Sequence, residues 1–299
     1  MVAVIGAGGI GSYLAAMLAD AGQDVTMCVR TPFETLELEV DGETRTLPVT
    51  IATEPEAVAE EDWVVLATKA QDTASAKAWL DRLAGANTTI LVAQNGIEHE
   101  ERVAPIAGKA RILPAIVYIA VERTEPGHVV HHGSSRMIVP ECRKAAEAET
   151  LFAGSALELT RSGDFRTDAW KKLIANIAAN PITALTMRRL DVFHEKQVVD
   201  LARSLLREAV LVGRCEGAEI GEADVEQVLS VYDGMTGEGG SSMLYDRLSG
   251  RSLEHDHLTG AVLRAGERHS IATPLNTAIY ALVDALDRSS LRRSEAEHG

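Results

Sequence analysis

The sequence predicts a two-domain α/β protein in which a doubly wound parallel sheet precedes an all-helical domain. Three observations carry this prediction. A short apolar strand at the start of the chain leads into a glycine-rich turn, strand-length apolar segments recur to about residue 162, and helical periodicity replaces them from residue 168. We therefore expect one domain over 1–166, a second over 167–290, and a flexible polar tail over 291–299.

The first strand, residues 2–5, is followed directly by the motif Gly6-Ala-Gly-Gly-Ile-Gly11 and a helical pattern. In this context Gly6 permits the tight turn, Gly8 lets the backbone approach a pyrophosphate, and Gly11 lets helix and strand pack closely. The start of the helix adds N–H groups and partial positive charge. The alternative is a purely structural glycine turn. The pattern favours a Rossmann-type dinucleotide site formed by Gly6, Ala7, Gly8, Gly9, Ile10 and Gly11.

The end of the second strand, Asp24–Val29, distinguishes between dinucleotides. Chains that prefer NAD usually place Asp or Glu there to accept a hydrogen bond from the ribose 2′-hydroxyl. Here Arg30 and Thr31 follow the strand. A guanidinium suits a 2′-phosphate by charge and by bidentate geometry, so the predicted cofactor is NADPH. The alternative is a solvated surface arginine.

Two later strands, 62–68 and 88–93, end in polar residues at the edge of the sheet where such folds bind ligands. Lys69 follows the first of them, and we expect it to contact the cofactor, although a surface lysine is an equal alternative. Asn95 follows the second, and its amide can orient a ligand carbonyl or amide, or stabilise the turn.

Further segments with strand or helix patterns complete both domains. The first domain is expected to contain a hairpin over 33–53 that turns at Asp41-Gly42, strands at 111–122, 127–132, 136–139 and 156–162, and a helix at 141–153. The second is expected to contain helices at 168–185, 195–216, 222–233, 253–269 and 274–288.

The middle of the helix predicted at 168–185 is apolar except for a polar stripe. At about 100° per residue, its polar positions fall within an arc of about 80° on one face; they are Lys172, Asn176, Asn180 and Thr183. Buried polar groups require partners or a ligand, because burying them unpaired costs about 2–7 kcal/mol each. The stripe indicates an active-site wall with Lys172 as its acid, or else a structural polar network. Pro181 removes one backbone hydrogen bond and can kink the helix near Asn180.

Two segments of the second domain carry further candidates. Gly237–Asp246 is a glycine-serine turn that opens a short helix, so Ser241 and Ser242 could cap that helix or bind an anion. Farther along, Glu254 lies among His255, Asp256 and His257. This spacing does not match a metal site, so we expect no metal and a solvated helix face with one functional carboxylate.

Composition restricts the partners. The net charge of −15 argues against non-specific nucleic-acid binding, and no apolar run reaches the length of a membrane span. Three widely spaced cysteines indicate neither a disulfide framework nor a metal site. Met1 leads directly into a strand pattern, so we expect no signal peptide and a cytoplasmic protein. A homodimer is compatible with the apolar helical faces.

Five motifs together resemble one enzyme family. In order they are Gly6–Gly11; Thr68-Lys69-Ala70; Gln94-Asn95-Gly96; Trp170–Asn176 with Asn180–Ala184; and Ser241–Asp246 followed by Glu254. Their order and spacing resemble the 2-dehydropantoate 2-reductases (ketopantoate reductases) over about residues 1–287. The resemblance implies a Rossmann-type domain followed by a helical domain like the C-terminal domain of 6-phosphogluconate dehydrogenase. It also implies NADPH-dependent reduction of 2-dehydropantoate to (R)-pantoate for pantothenate and coenzyme A.

The resemblance also assigns roles to residues. Lys172 becomes the catalytic lysine, and Glu254 would hold the substrate hydroxyl and that lysine. Asn176, Asn180 and Ser242 become substrate-binding groups. Asn95 would lie between cofactor and substrate, and Arg30 and Lys69 would contact the cofactor.

Two positions depart from the family pattern. Leu190 and Gly239 stand where well-known members have asparagines. Because of these departures, an alternative interpretation is a related reductase that acts on another small 2-oxo acid or a polyol phosphate. A third reading is a non-catalytic NADPH sensor, although the retained Lys172, Asn176 and Glu254 argue against it.

Overall fold

A computed structural model describes the backbone of residues 1–234 and 239–298 and the side chains through residue 288. The chain forms two compact units, Met1–Phe165 and Arg166–Gly299. The division lies one residue before the boundary expected from the sequence, between residues 166 and 167. The first two residues of the predicted Gly237–Asp246 turn, and Gly299 of the predicted tail, lie outside the described residues.

The first unit is built on a six-stranded parallel sheet with the order β5-β2-β1-β6-β7-β8. Its strands are β1 (Val2–Ile5), β2 (Val25–Cys28), β5 (Val49–Ala52), β6 (Trp63–Leu66), β7 (Thr89–Val92) and β8 (Arg111–Pro114). The central strands β1 and β6 are buried at every position. Their continuous apolar character follows from burial on both faces, as is usual for a parallel sheet.

The two faces of this sheet are covered by different layers. Helix α1 (Gly9–Asp20) packs on one face within a buried cluster that includes Tyr13, Leu14 and Leu18. The opposite face packs against the helix α2 (Lys77–Leu83) through Trp79, Leu80 and Leu83. A short helix, α3 (His99–Val103), lies between β7 and β8 in the chain. Helices on both faces confirm the doubly wound α/β class.

A second sheet covers the outer side of α1, and the sequence did not predict it as a separate layer. It has the order β11-β10-β3-β4, with β9 paired to β10. Its strands are β3 (Leu36–Val40), β4 (Glu43–Leu47), β9 (Ile116–Glu125), β10 (His128–Pro140) and β11 (Glu158–Ser162), and α4 (Arg143–Leu151) precedes the last of them.

The hairpin expected over 33–53 is right for β3 and β4. Its turn at Asp41 and Gly42 has positive φ angles of 52° and 83°, as a two-residue hairpin turn requires. The remainder of that segment, Val49–Ala52, instead returns to the main sheet beside β2. The predicted strand 111–122 is divided between β8 and β9, because Ile116 onward pairs with the long strand β10.

The second unit is helical. Its helices are α5 (Phe165–Thr186), α6 (Lys196–Cys215), α7 (Glu222–Asp233), α8 (Ser242–Leu248), α9 (His255–Arg268) and α10 (Pro274–His298). Helix α5 continues through Pro181. Helix α10 extends over most of the segment for which the sequence predicts a tail; arginine, glutamate and alanine there favour helix. Among the described helices, none has the length and apolar character needed to cross a bilayer.

Candidate active site

The glycine turn between β1 and α1 has the geometry that its sequence predicts. Gly6 has a φ of 107°, and a Cβ there would stand 2.9 Å from the backbone of Ala67 and Thr68. A Cβ at Gly11 would overlap the carbonyl oxygen of Gly6, so the helix can approach the strand only without a side chain. By contrast, a Cβ at Gly8 would meet no atom within 4 Å. The space over Gly8 is therefore open to a ligand.

Helix α1 presents its N-terminus at this turn. Gly8 is its N-cap and provides no side-chain cap, and the first turn contains no acidic residue. The first N–H groups of a helix lack intrahelical partners, so this end attracts an anion. The opposite side of the turn is bordered by β9. There Arg123 Nη1 donates to Ala7 O at 3.4 Å, and the Val121 carbonyl oxygen lies 3.1 Å from the Cβ position of Gly9.

Arg30 and Lys69 lie at the same carboxyl edge as the glycine turn, because β2, β1 and β6 are adjacent parallel strands. The Arg30 side chain is 80% exposed, and its Nη2 lies 3.9 Å from Asp72 Oδ2. At this distance the two side chains form a loose ion pair, which contributes little to stability in water. The pair lies where the sequence predicts a 2′-phosphate. Lys69 is half-buried and precedes the short helical turn that contains Asp72.

The loop that contains Asn95 is held by hydrogen bonds of the preceding residue, Gln94, which is 5% exposed. The Gln94 Nε2 donates to Thr68 O at 3.0 Å and to Thr68 Oγ1 at 2.9 Å, so one side chain joins the ends of β6 and β7. The main chain is held as well, since Arg102 donates to Asn95 O at 3.2 Å. Both expected contact residues, Lys69 and Asn95, thus follow strand ends that Gln94 ties together.

His99 also holds this loop, through a hydrogen bond to the main chain of Gln94. It is 2% exposed, and its Nε2 lies 2.9 Å from Gln94 O. Burial, with a smaller contribution from the positive charge of Arg102, lowers the pKa of His99 to about 4. The imidazole is therefore neutral at physiological pH, and it donates its proton to the Gln94 carbonyl oxygen.

The polar stripe of the second unit lies on α5 as the sequence predicts, and its burial increases along the helix. Lys172 and Asn176 are half-buried, Asn180 is 3% exposed, and Thr183 is fully buried. The Thr183 hydroxyl donates to Ala179 O at 2.7 Å. Lys172 and Asn176 are thus the more accessible members of the stripe, and Asn180 and Thr183 are buried.

The two serines of the glycine-serine turn have different positions. Ser241 is 8% exposed and is the N-cap of α8, where its Oγ accepts from Leu244 N at 3.1 Å. Ser242 is the first residue of α8 and is exposed. Ser241 therefore caps the helix, and Ser242 is the one that remains accessible. The Ser241 Oγ also lies 2.7 Å from Thr183 Oγ1, which brings this turn onto α5.

Glu254 is 5% exposed and is the N-cap of α9. It is a buried carboxylate, not part of the solvated face that the sequence suggests. Asp256 pairs with Arg264 at 3.0 Å and accepts from the Tyr280 hydroxyl, whereas His255 Nδ1 lies 3.2 Å from Leu253 O. Among the described side chains, those of residues 1–234 and 239–288, no group of three or more His, Cys, Asp or Glu is arranged to hold a metal ion.

The two departures from the family pattern lie against each other. Leu190 N donates to Gly239 O at 3.0 Å, and Leu190 Cδ1 is 3.8 Å from the Cβ position of Gly239. Leu190 is 7% exposed. An apolar side chain and a glycine thus occupy one small region just before the Ser241-Ser242 pair. The sequence shows each departure, but only the structure shows that they are neighbours.

Other residues were not assigned a role from the sequence. Gln94 was noted only as part of a turn, and Arg123 was not singled out; it lies 116 positions from Ala7 along the chain. A polar residue directly after a buried strand is a signal that could have identified Gln94. For Arg123 the sequence contains no comparable signal.

Both units match known proteins. Residues 2–144 match the model of the family described as ketopantoate reductase PanE/ApbA, and residues 164–287 match that of its C-terminal domain. The chain is 39% identical over 288 residues to a 2-dehydropantoate 2-reductase of Caulobacter vibrioides, covering 95% of this chain and 98% of the relative. It is 33% identical over 286 residues to one of Mycobacterium tuberculosis, covering 95% and 97%.

A solved structure agrees with these matches. The crystal structure of a PanE/ApbA family ketopantoate reductase from Ralstonia eutropha JMP134 superposes with a TM-score of 0.89 at 29% identity, covering 97% of this chain and all of that one. A ternary structure of a D-mandelate dehydrogenase superposes with a TM-score of 0.88 at 22% identity, which shows a shared fold. From its two family matches, its close relatives and its fold, the chain belongs to the ketopantoate reductase PanE/ApbA family of oxidoreductases.

Proposed function

We propose that this protein reduces 2-dehydropantoate to (R)-pantoate with NADPH, in pantothenate and coenzyme A biosynthesis. The observation that carries the proposal is the stripe on α5, where Lys172 and Asn176 remain partly accessible in a chain of this family. Relatives named 2-dehydropantoate 2-reductase at 39% and 33% identity support the same reaction.

The first unit offers open space and positively charged groups that would suit the cofactor. The open space over Gly8 and the N-terminus of α1 fit a pyrophosphate, with Gly6, Ala7, Gly9, Ile10 and Gly11 forming the surrounding turn. Arg30 would hold the 2′-phosphate, for which its exposed guanidinium is suited. Lys69 and Asn95 would contact the remainder of the dinucleotide. When bound, NADPH supplies the hydride that the substrate carbonyl carbon receives.

Lys172 is the proposed general acid. Negative charge grows on the carbonyl oxygen as that carbon is reduced, and an ammonium that donates a hydrogen bond there stabilises it before giving up the proton. Lys172 is half-buried, and a long amphipathic side chain in such a position can pack its stem while presenting its amine to a ligand. Glu254 would then hold the product hydroxyl and the lysine.

The substrate is held by neutral polar groups. Asn176 and Asn180 lie one helical turn apart on the face of Lys172, so their amides can bind the substrate beside the ammonium. Ser242 is exposed at the start of α8 and can donate its hydroxyl hydrogen to a substrate carboxylate. These three assignments, with Asn95 as the contact shared by cofactor and substrate, make up the proposed substrate site.

A second candidate substrate is a 2-oxo acid whose side chain lacks a hydroxyl group. The contact between Leu190 and Gly239 favours it, because this region offers an apolar surface and no side-chain hydrogen bond of its own. A pocket without polar partners discriminates only weakly against an added hydroxyl. Both candidates therefore belong in the same assay.

The experiment is a panel of 2-oxo acids, 2-dehydropantoate first, assayed by loss of the near-ultraviolet absorbance of NADPH. Highest kcat/KM with 2-dehydropantoate supports the proposal. Highest kcat/KM with an acid that has a purely apolar side chain selects the second candidate. Tight NADPH binding without turnover of any acid would indicate a sensor and would contradict both.

Two further expectations remain predictions. A structure similar to this chain at 24% identity is named a dimeric ketopantoate reductase from Staphylococcus aureus, and we propose a homodimer here, which sedimentation velocity would test. The cytoplasmic location expected from the sequence is also retained as a prediction, testable by cell fractionation.

A further inference from the structure

Helices α5 and α8 are joined by a pair of buried hydroxyl groups. Thr183 on α5 is 0% exposed and Ser241, the N-cap of α8, is 8% exposed. Their hydroxyl oxygens lie 2.7 Å apart, although the residues are 58 positions apart along the chain. Polar groups buried in this way are retained only where each finds a partner, because an unpaired hydroxyl is costly.

The neighbours of these hydroxyls fix the direction of their bond. Thr183 Oγ1 lies 2.7 Å from Ala179 O. A carbonyl oxygen can only accept, so Thr183 donates its single hydroxyl hydrogen to Ala179 O. Ser241 Oγ already accepts from Leu244 N at 3.1 Å and keeps its own hydrogen. Ser241 therefore donates to Thr183. The result is a one-way chain from Leu244 N–H through Ser241 and Thr183 to Ala179 C=O, in which each bond polarises the next.

A second contact joins the same two helices at the other end of α8. Arg247 Nη1 donates to Ala184 O and, at 3.3 Å, to Leu185 O. These carbonyls lie in the last turn of α5, where they lack intrahelical donors. Helix α8 is thus held to α5 at its first turn by Ser241 and at its last turn by Arg247, which leaves it little freedom to rotate or slide.

Each residue of the hydroxyl pair is adjacent to a proposed substrate-binding residue. Ser242 directly follows Ser241 in the chain, and Asn180 precedes Thr183 by one turn on the same face of α5. A change in the spacing of Ser241 and Thr183 would therefore change the spacing of the groups that hold the substrate. It would leave the glycine turn of the first unit, which belongs to a separate compact unit, unaltered.

We propose that Ser241 and Thr183 are positioning residues that fix the exposed Ser242 hydroxyl relative to Asn180 for binding of the 2-oxo acid. This inference rests on the proposed function. It predicts that the pair affects binding of the oxo acid and does not affect binding of the dinucleotide. Because the pair positions groups that bind the oxo acid, its loss weakens binding by about the contribution of one hydrogen bond; KM for the oxo acid therefore rises by roughly 10-fold, and kcat falls less.

The test uses paired variants at each position. Thr183→Val removes the hydroxyl with little change in shape, whereas Thr183→Ser keeps it; Ser241→Ala removes the other hydroxyl, whereas Ser241→Thr keeps it. Thr186→Val is the matched control, because Thr186 donates to Ile182 O at 2.7 Å on the same helix with a hydroxyl not bonded to α8. For each variant we would measure KM for the oxo acid, kcat, the Kd for NADPH and the Tm.

The expected result is a raised KM for the oxo acid in Thr183→Val and in Ser241→Ala, rescue in Thr183→Ser and Ser241→Thr, and an unchanged Kd for NADPH. The double variant Ser241→Ala/Thr183→Val should raise KM by less than the product of the two single effects, because both remove one interaction.

Several outcomes would overturn the inference while leaving the proposed function standing. These are wild-type KM in both hydroxyl-deleted variants, an equal rise in Thr186→Val, or a lowered Tm with unchanged kinetics, since a purely structural role would do only that. If the wild-type protein turns over no 2-oxo acid, the proposed function itself fails and this inference falls with it.

Discussion

The glycine turn of the first unit and the polar stripe of α5 are the two proposed ligand sites, and they are built by opposite means. At the turn the binding surface is backbone, and it exists because Gly6, Gly8 and Gly11 have no side chains. On α5 the proposed binding surface is side chain, and it exists because Lys172 and Asn176 place polar groups among the apolar residues in the middle of the helix. Added atoms therefore damage the first surface, and removed atoms damage the second.

The largest expected effect tests the first half of this comparison. Gly11→Ala places a Cβ onto the carbonyl oxygen of Gly6, a backbone atom that cannot move aside, so we expect loss of folded protein or a fall in Tm well beyond 10 °C, on the order of 4 kcal/mol or more. Gly8→Ala is the matched control, because its Cβ meets nothing within 4 Å. It should keep the wild-type Tm but bind NADPH more weakly. Equal Tm values for the two variants would show that the turn does not depend on close packing.

The second prediction tests the other half. Lys172→Ala removes the proposed acid, and we expect kcat to fall by about 10²–10⁴-fold with the Kd for NADPH nearly unchanged. Steady-state kinetics and a fluorescence titration with NADPH measure the two quantities separately. Lys171→Ala, one position away and exposed, is the control and should retain wild-type kcat. Wild-type turnover in Lys172→Ala would remove this residue from the mechanism.

The third prediction concerns how the first unit supports its ligand loop. His99 has a pKa near 4 when folded and near 6.5 when unfolded. The unfolded chain therefore binds the proton more readily, and stability is lost as pH falls between these values. From about pH 7 to about pH 5 the free energy of unfolding should decrease by about 2 kcal/mol through this residue. Urea unfolding of wild type and of His99→Gln at both pH values measures it, and an equal decrease in the two proteins would exclude His99 as the cause.

The smallest effect concerns Arg30. Its side chain is largely exposed, so its contact with a 2′-phosphate is worth less than a buried one. We expect Arg30→Ala to lower the ratio of kcat/KM for NADPH over NADH by about 10-fold. Asp72→Asn removes the carboxylate that faces Arg30 at 3.9 Å and should raise the same ratio. If Arg30→Ala leaves the ratio unchanged, the phosphate is held elsewhere and NADPH preference has another origin.

The parts of the molecule that sequence predicts well are local ones. The glycine turn could be predicted in detail because its strand, loop and helix are consecutive in the chain. The α5 stripe could be predicted because helical periodicity alone places Lys172, Asn176, Asn180 and Thr183 on one face. Both predictions need only a few residues on either side.

The parts that could not be predicted depend on contacts between distant segments. Strand β3 pairs with β10, so the second sheet is not visible as a local pattern. Two adjacent serines could not be distinguished by sequence; Ser241 is the one that caps α8, and its Oγ lies 2.7 Å from that of Thr183, 58 positions away along the chain. The sequence predicts Glu254 on a solvated face, because its neighbours His255 and Asp256 are polar, but its burial follows from packing that the local pattern does not show.

Helix α1 lies between two sheets, and this limits how far the first unit could be reduced in size. A minimal nucleotide-binding half built from β1, α1, β2 and β6 alone would uncover the face of α1 that carries Tyr13 and, one turn later, Met17, each now 1% exposed. The Tyr13 hydroxyl donates to Ser135 Oγ, and its ring stacks on His131, both on β10. Such a fragment would present a broad apolar surface to water and would aggregate. The long hairpin β9–β10, which contains no predicted ligand residue, is therefore as necessary to solubility of the cofactor unit as the glycine motif is to its shape.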